Sequence, residues 1–204
     1  AITDFDFYTA VDLWFTDQPL AESTYGLIGD WGVSAVTNMS SAFYPNRWGG
    51  SATNTFNEDI SSWDVSSVIS VNSMFYQATS FNQSLNWDTS SVTDMSDMFS
   101  GATSFNQLLT FSDTSNVLYT LSMFRNATSF NQPLNWDISS VIDMSNMFLG
   151  VNLSTTNYDL ILVAWEGYLQ TAFPSGVGYN KQIYVSFNTT KYTAGSAAAT
   201  ARAS

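Results

Sequence analysis

The sequence predicts an α/β solenoid in which each repeat of about 25 residues supplies one short parallel β-strand and one short helix. The first observation is that four segments begin with Phe-Asn, in steps of 25, 24 and 25 residues, at Phe56, Phe81, Phe105 and Phe130. The second is that each segment also carries an aromatic residue, a valine and a Met-Phe pair. One repeat cannot bury its inner face alone, so we expect stacked repeats to share a core.

Residues 1–30 are predicted to form an N-terminal helical cap. Phe7, Val11 and Trp14 are spaced for one face of an amphipathic helix that would cover the first coil.

Residues 31–154 are predicted to form five coils, the first of which begins near Trp31. An insertion is expected at about residues 44–55, because 13 residues separate Phe43 from Phe56 where 6 is the rule.

Within a repeat, the hydrophobic spacing changes from a strand pattern to a helix pattern. Ile60, Trp63, Val65 and Val68 follow the spacing L-x-x-L-x-L, and alternation around Trp63 predicts a short strand with Trp63 and Val65 pointing inward. The following apolar positions in the next repeat fall on one face of a short helix: Val92, Met95, Met98 and Phe99.

Residues 155–204 are predicted to form a C-terminal cap. Tyr158 and the run 160–165 indicate a buried helix, and the alternation of Ile183, Val185 and Phe187 indicates a strand.

The composition excludes several classes of function. The chain has no histidine and no cysteine, which removes His-based and thiolate catalysis and ordinary zinc sites. Its 17 acidic and 5 basic residues argue against binding to nucleic acid. No apolar run is long enough for a transmembrane segment. The three glutamates, Glu22, Glu58 and Glu166, form no recognisable catalytic pair, so we expect neither an enzyme nor a cofactor.

The repeats resemble those of the BspA-like leucine-rich-repeat surface proteins, as seen in FNEDISSWDVSSVISVNSMFYQATS at 56–80 and FNQPLNWDISSVIDMSNMFLG at 130–150. The segment LSTTNYDLILVAWEG from Leu153 is similar to that family's C-terminal cap. The resemblance implies a leucine-rich-repeat-like right-handed superhelix with a parallel sheet on its concave face. It also implies an exported, extracellular or cell-surface protein used for adhesion, assembly or partner recognition. Because the family's cap usually continues further, we expect this one to be truncated at Ser204.

The fourth unit departs from the pattern. Its aromatic, Phe111, stands one residue earlier than expected before the following aspartate, which predicts a bulge there.

One aspartate per unit follows the aromatic residue, at Asp64, Asp88, Asp113 and Asp137. Stacked carboxylates suggest a metal-binding ladder, for which Ca²⁺ would suit the oxygen ligands. The alternative is an Asx-turn, in which each aspartate accepts hydrogen bonds from the following serines. We favour the turn. The repeated Asn of Phe-Asn is likewise expected to bind backbone groups, and the repeated tryptophans are expected in the core rather than on a sugar-binding platform.

The insertion contains Arg47 next to Trp48 in a segment that the period does not require. Arg and Trp are enriched at binding hot spots, so the loop is a candidate partner-binding element. The alternative is a loop that folds back over the first coil.

Four sequons are candidates for N-glycosylation, at Asn38, Asn126, Asn152 and Asn188, if the protein is exported from a eukaryotic cell. A fifth, at Asn82, is expected to stay unmodified in the asparagine ladder. The alternative is chance, because a Ser/Thr/Asn-rich composition produces sequons freely.

The sequence therefore predicts a non-enzymatic extracellular or cell-surface repeat module for adhesion, protein–protein interaction or structural assembly, including self-assembly. A glycan-binding, lectin-like module assisted by Ca²⁺ is the alternative. Binding to an ordered mineral or ice surface is a third possibility.

Overall fold

The computed structural model describes residues 1–44 and 55–172. Three α-helices are present in these ranges: α1 at Phe7–Thr16, α2 at Gln18–Tyr25 and α3 at Thr155–Ala172. A single 3₁₀ turn, Ile28–Asp30, leads from α2 into the repeats. None of the described helices combines the length and the apolar character that crossing a bilayer requires.

The helix α1 buries one apolar face against the first repeats. Phe7, Val11 and Trp14, whose spacing predicts a helix, are all on that face together with Ala10. The chain then turns at Asp17, whose Oδ1 accepts a 3.2 Å hydrogen bond from the Leu20 N–H and so caps α2. Gly26 ends α2 with a φ of 83°, a left-handed conformation that glycine adopts without strain.

Successive repeats pair through one residue each. Parallel β-bridges join the residues of this row in chain order: Asn38, Ser70, Asp94, Tyr119 and Asp143. A further bridge joins Thr3 to Ala35, so the N-terminal segment pairs with the first repeat in the same way. Each repeat thus contacts its sequence neighbours, and the contacts follow the order of the chain.

The segment after each bridge consists of consecutive turns. In the second repeat, the N–H groups of Met74 and Tyr76 donate to carbonyls three residues earlier, at 3.1 and 3.0 Å. The alternate N–H groups of Ser73 and Phe75 donate to the next repeat, to Ser96 O at 2.8 Å and Met98 O at 2.9 Å. We call such alternating donors the donor row of a repeat. In this segment, alternate backbone N–H groups therefore stabilise turns within the repeat, and the others stabilise its contact with the next repeat.

This arrangement corrects the predicted strand and helix of each repeat. The described parts of 31–154 contain no extended strand and no α-helix. An α-helix requires each N–H to donate to the carbonyl four residues earlier, whereas donor-row groups point to the next repeat. Left-handed backbone also interrupts each segment, as at Ser73 and Gln77, with φ values of 54° and 56°. Hydrophobic spacing alone does not distinguish this chain of turns from a helix.

Two columns of stacked phenylalanine rings form the centre of the core. Within a repeat, the ring of the Met-Phe pair stacks on the ring of Phe-Asn, as in Phe75 and Phe81 at 3.9 Å and Phe99 and Phe105 at 4.0 Å. Between repeats, the Phe75 and Phe99 centroids are 5.5 Å apart, and those of Phe81 and Phe105 are 6.0 Å apart. These four rings are fully buried, so the columns place aromatic surface at the centre of the core.

Helices from the two caps close the ends of these columns. Phe15 of α1 packs edge-on against Phe43 at 6.3 Å, at the first repeat. Trp165 of α3 packs at 6.2 Å against Phe148, at the last repeat. The apolar surface that an unpaired terminal repeat would expose is therefore covered at both ends.

The repeated tryptophans form a third buried column. The indole Nε1 of Trp63 donates to Ile28 O at 2.7 Å, and that of Trp87 donates to Ile60 O at 3.2 Å. Trp136 is also buried, but its Nε1 has no hydrogen-bond partner among the described residues. These positions agree with the expectation that the tryptophans belong to the core.

The irregular fourth unit contacts Trp136 of the next unit. Phe111 is half-buried and stacks on Trp136 with 5.4 Å between ring centroids. The additional residue, Ser112, forms a bend, and its N–H donates to Trp87 O at 3.2 Å. The extra residue is therefore accommodated at the surface, while the aromatic column continues through the irregular unit.

Candidate binding surface

The repeated aspartates all accept a hydrogen bond from the backbone two residues later. The N–H groups of the serines donate to aspartate Oδ1 at 2.8–3.1 Å, in the pairs Ser66–Asp64, Ser90–Asp88, Ser115–Asp113 and Ser139–Asp137. This is the geometry of an Asx-turn. The same contact occurs between Ser61 and Asp59. The Asx-turn that we favour for these aspartates thus engages one oxygen of each carboxylate.

The serine hydrogen bonds also lower the pKa of three aspartates of this column, Asp64, Asp88 and Asp113. The bond with the Ser66 side chain, then that with its backbone, lowers the pKa of Asp64. The backbone N–H of Ser90 is the main cause of the lowered pKa of Asp88. The negative charge of Asp88 opposes a smaller part of the lowering at Asp64. The serine hydrogen bonds therefore favour the ionised forms of Asp64 and Asp88, and Asp64 also feels the charge of Asp88.

The structure brings no group of three or more acidic side chains into a metal-binding arrangement within the described ranges. Asp64, Asp88, Asp113 and Asp137 lie in separate repeats, and each has its own serine partner. Calcium binding by this column stays a prediction.

Hydroxyl side chains connect the repeats beside the aspartates. The Ser112 hydroxyl donates to Asp88 Oδ1 at 3.0 Å, and the Thr114 hydroxyl donates to Asp137 O at 3.0 Å. The Asn116 amide donates to Ser90 O at 2.8 Å. The Ser, Thr and Asn residues that replace charged residues in the composition therefore link one repeat to the next.

The asparagines of the Phe-Asn pairs form a ladder along another edge. Asn57 Oδ1 accepts from Asn82 N–H at 2.8 Å, and Asn82 Oδ1 accepts from Asn106 N–H at 2.9 Å. Asn106 and Asn131 continue the pattern, and Asn131 Oδ1 accepts from Ser154 N–H at 2.8 Å. The expected role of the asparagines, which is to bind backbone groups, is present in every described repeat boundary from 57 onward.

A column of partly to half exposed residues follows one buried valine in each repeat. We call it the Thr-Ile column, and its members are Thr37, Ile69, Thr93, Leu118 and Ile142. From Ile69 onward, the backbone N–H of each member donates to the carbonyl of the previous member, at 2.7–2.9 Å. Ile69 and Ile142 are 52% and 49% exposed, which is high for isoleucine in a folded domain. We did not predict this column from the sequence. The recurrence of a β-branched residue or leucine directly after one valine per repeat is nevertheless a usable signal, at Val36, Val68, Val92, Val117 and Val141.

Two grooves lie beside the first repeats. The larger has a volume of about 370 Å³ and includes Asp30, Ser34, Ser62 and Asp64 in its lining. The smaller, of about 260 Å³, is lined by two tyrosines and two serines: Ser41, Tyr44, Ser73 and Tyr76. The two tyrosine rings meet edge to face at 5.1 Å. We did not predict this pair from the sequence, although each tyrosine directly follows a core phenylalanine, Phe43 or Phe75.

The predicted glycosylation sites differ in their surroundings. Asn38, Asn126 and Asn152 are exposed. Asn38 Oδ1 accepts from Ser40 N–H at 2.9 Å, and the Asn126 side chain packs so closely on Gly150 that a Cβ there would collide with it. Asn82 is half-buried in the ladder. Asn188 lies outside the described residues.

The predicted partner-binding pair, Arg47 and Trp48, also lies outside the described residues. Its role as a recognition element stays a prediction. The smaller groove begins at Tyr44, directly before the insertion in the chain.

Comparison with known proteins identifies one family. The family described as "Mycoplasma protein of unknown function, DUF285" matches the chain over residues 19–86 and 50–160, two overlapping segments that together span more than half of it. No curated protein and no solved structure matches the chain.

Proposed function

Since this chain belongs to the DUF285 repeat family, we propose that it is a non-enzymatic repeat module for adhesion, protein–protein interaction or structural assembly at a cell surface or outside the cell. We propose further that its repeats form a leucine-rich-repeat-like solenoid of the BspA-like type. The motif FNEDISSWDVSSVISVNSMF and the bridges between successive repeats support this more specific assignment.

The observation that carries the proposal is the Thr-Ile column. Its residues come from five successive repeats and lie in one line, because each N–H is bonded to the previous member. Ile69 and Ile142 each expose about half of their surface to solvent. The other three members, Thr37, Thr93 and Leu118, are partly accessible. A row of solvent-accessible apolar and β-branched side chains suits an interaction surface, and the regular backbone holds it rigid before a partner binds.

The charge of the molecule restricts the partner. The described ranges contain all 17 acidic residues of the chain but one of its five basic residues, Arg125. Asp94 and Asp143 directly follow the column residues Thr93 and Ile142. A neutral or basic partner surface is therefore favoured, and an acidic one is repelled. A saline exterior would screen the repulsion between copies of the chain.

The test compares an altered column with an altered residue elsewhere. The double variant Ile69→Asn, Ile142→Asn removes apolar surface from the column. The control is Leu108→Asn, because Leu108 is 47% exposed and lies outside the column. We would measure binding of labelled protein to cells of the source organism and its extracellular material, and self-association by sedimentation.

The expected result is saturable binding or self-association that the double variant loses and the control keeps. If all three proteins bind equally, the column is the wrong surface. If the unaltered chain neither binds nor self-associates, the proposed function is wrong.

Glycan binding is the second candidate, and the smaller groove favours it. Tyr44 and Tyr76 offer aromatic surface, and Ser41 and Ser73 offer hydroxyl groups, a combination suited to sugar rings. A glycan array probed with the chain, with Tyr76→Ala and with a chelator would test this function. Binding that the variant loses would support it, and sensitivity to the chelator would assign calcium to the aspartate column. An array without signal would remove this candidate.

A further inference from the structure

The larger of the two grooves, of about 370 Å³, lies between the first and the second repeat. One wall consists of residues 29–34, and the other wall includes Ser62 and Asp64. Two carboxylates and two hydroxyl groups therefore line it, those of Asp30, Asp64, Ser34 and Ser62. A concave site of this size can take up a side chain of a partner protein.

The groove arises where the aspartate column stops. The first repeat reads Trp-Gly-Val-Ser at 31–34, and the second reads Trp-Asp-Val-Ser at 63–66. Gly32 thus stands where the next repeat has Asp64. A Cβ at Gly32 would meet the Ala1 Cα at 3.8 Å, an ordinary contact, so the space above this glycine is open. The groove therefore lies beside the place that one more aspartate would take.

The walls of the groove are fixed by contacts between the two repeats. The Ser62 hydroxyl donates a hydrogen bond to Gly29 O. A Cβ at Gly29 would lie 2.7 Å from Asp59 O, so only glycine fits at this close approach. The buried Trp31 stacks on Trp63 at 6.1 Å. A ligand would therefore meet a site that is already formed.

The negative charge in the groove has no cationic partner there. Asp64 Oδ1 accepts hydrogen bonds from the Ser66 N–H at 3.1 Å and from the Ser66 hydroxyl at 2.7 Å. Among the described residues, nothing donates a hydrogen bond to Asp64 Oδ2 or to either side-chain oxygen of Asp30. The described lining contains no basic side chain. Three carboxylate oxygens are thus available to a ligand that brings its own positive charge and hydrogen-bond donors.

An organic cation suits these oxygens better than a metal ion does. Calcium takes six to eight oxygen ligands, and the described ranges bring no group of three acidic side chains together. A guanidinium group presents five N–H donors in a planar fork that matches carboxylate oxygens. The hydroxyl oxygens of Ser34 and Ser62 are further acceptors at the same groove.

We propose that this groove binds an arginine side chain of a partner protein, with the guanidinium held between Asp30 and Asp64. The inference goes beyond the proposed function, because none of these residues belongs to the Thr-Ile column. It also stands or falls separately, since a column that binds nothing leaves the groove unchanged.

NMR titration of the full chain with a blocked arginine, acetyl-arginine methylamide, tests the proposal. The blocked ends leave the guanidinium as the only charge of the probe. The matched control is acetyl-citrulline methylamide, which has the same shape and no charge. The arginine probe is expected to shift the amide signals of Gly29, Gly32 and Ser34 saturably, with a dissociation constant on the order of 1 mM. The citrulline probe is expected to bind at least about tenfold more weakly.

Two variants separate the charge of the groove from its shape. The double change Asp30→Asn, Asp64→Asn removes both charges, while asparagine at 64 can still form the Asx-turn. Gly32→Val keeps both charges and fills the groove with a side chain. Each variant is expected to bind the arginine probe about tenfold more weakly. Asp113→Asn removes one charge of the same column outside the groove, and its affinity is expected to stay within about twofold.

Three results would overturn the proposal. The first is an arginine probe that causes no saturable shift at the groove, or that binds no better than the citrulline probe. The second is normal binding by Gly32→Val, because the filled groove could not then be the site. The third is an equal loss in Asp113→Asn and in the double variant, which would show general attraction to an acidic surface.

Discussion

The side-chain oxygen of Asn82 accepts a 2.9 Å hydrogen bond from the backbone N–H of Asn106, the equivalent asparagine of the next repeat. The same oxygen lies 3.2 Å from the Gln107 side-chain amide, which also donates to it. One side chain thus satisfies a backbone donor in the following repeat. This contact recurs along the ladder, so one asparagine in each repeat helps to set the spacing between repeats.

Replacement of Asn82 by alanine is expected to destabilise the protein by about 0.5–1.5 kcal/mol, because the Asn106 N–H loses its protein acceptor. The control is Asn152→Ala, since Asn152 is exposed and outside the ladder. The control is expected to change stability by less than about 0.5 kcal/mol. Urea unfolding followed by tryptophan fluorescence measures both variants. Equal destabilisation by the two changes would contradict a structural role for the ladder.

Replacement of Phe81 by alanine is expected to cost about 3–5 kcal/mol, the usual range for removing a fully buried aromatic ring. Phe81 stacks on Phe75 in its own repeat and on Phe105 in the next one, so the cavity lies between two repeats. Phe5 is 93% exposed, and Phe5→Ala is expected to be nearly neutral. Thermal unfolding of the two variants provides the comparison. A mild effect at Phe81 would mean that the column can close around the missing ring.

Tryptophan-to-phenylalanine changes at residues 87 and 136 are expected to differ, although both remove the same group from a buried site. Trp87 donates to Ile60 O, so its loss leaves that carbonyl without this donor. Trp136 Nε1 has no described partner. Trp87→Phe is therefore expected to cost about 1 kcal/mol more than Trp136→Phe in chemical unfolding. The opposite order would show that the indole N–H of Trp136 is satisfied in solution.

Replacement of Asp97 by asparagine is expected to stabilise the protein at neutral pH. Burial raises the pKa of Asp97 above its ordinary value of 3.8, although Ser100 and Arg125 partly oppose this shift. The ionised form is thus the costly one, and the cost develops as the pH rises from 3.8 through the folded-state pKa. The gain from Asp97→Asn should be largest at neutral pH and should shrink as the pH falls toward 3.8.

The change Asp88→Asn provides a control of opposite sign. Hydrogen bonds from Ser90 lower the pKa of Asp88, so its ionised form is stabilising above 3.8 and this contribution is lost as the pH falls through the folded-state pKa. Asp88→Asn is expected to destabilise the protein at neutral pH, and the loss should disappear in acid. Unfolding measured across a pH series checks both signs. Parallel pH profiles for the two variants would contradict the assignments.

The sequence predicts the features of this fold that depend on side-chain periodicity. The inward direction of Trp63, the hydrogen-bonding role of Asn82 and the Asx-turn at Asp64 all follow from residues that recur once per repeat. The turns after each bridge could not be predicted, because the spacing of Val92, Met95 and Phe99 also suits a helix. What decides between them is the destination of alternate N–H groups, which depends on the neighbouring repeat.

The candidate surfaces were harder to predict from the sequence, for a related physical reason. Ile69 is 52% exposed although it directly follows the buried Val68, whereas an isoleucine by itself predicts burial.

The phenylalanine columns make the length of this molecule adjustable in fixed steps. Successive rings are separated by 5.4–5.7 Å in the column of the Met-Phe pairs, so adding one copy of the unit would lengthen the body by about that amount. The new rings would meet neighbours of the same kind on both sides, and the two end helices would keep their present contacts. Duplication or loss of a 25-residue segment in the gene would therefore change the reach of the protein while leaving its cross-section unchanged.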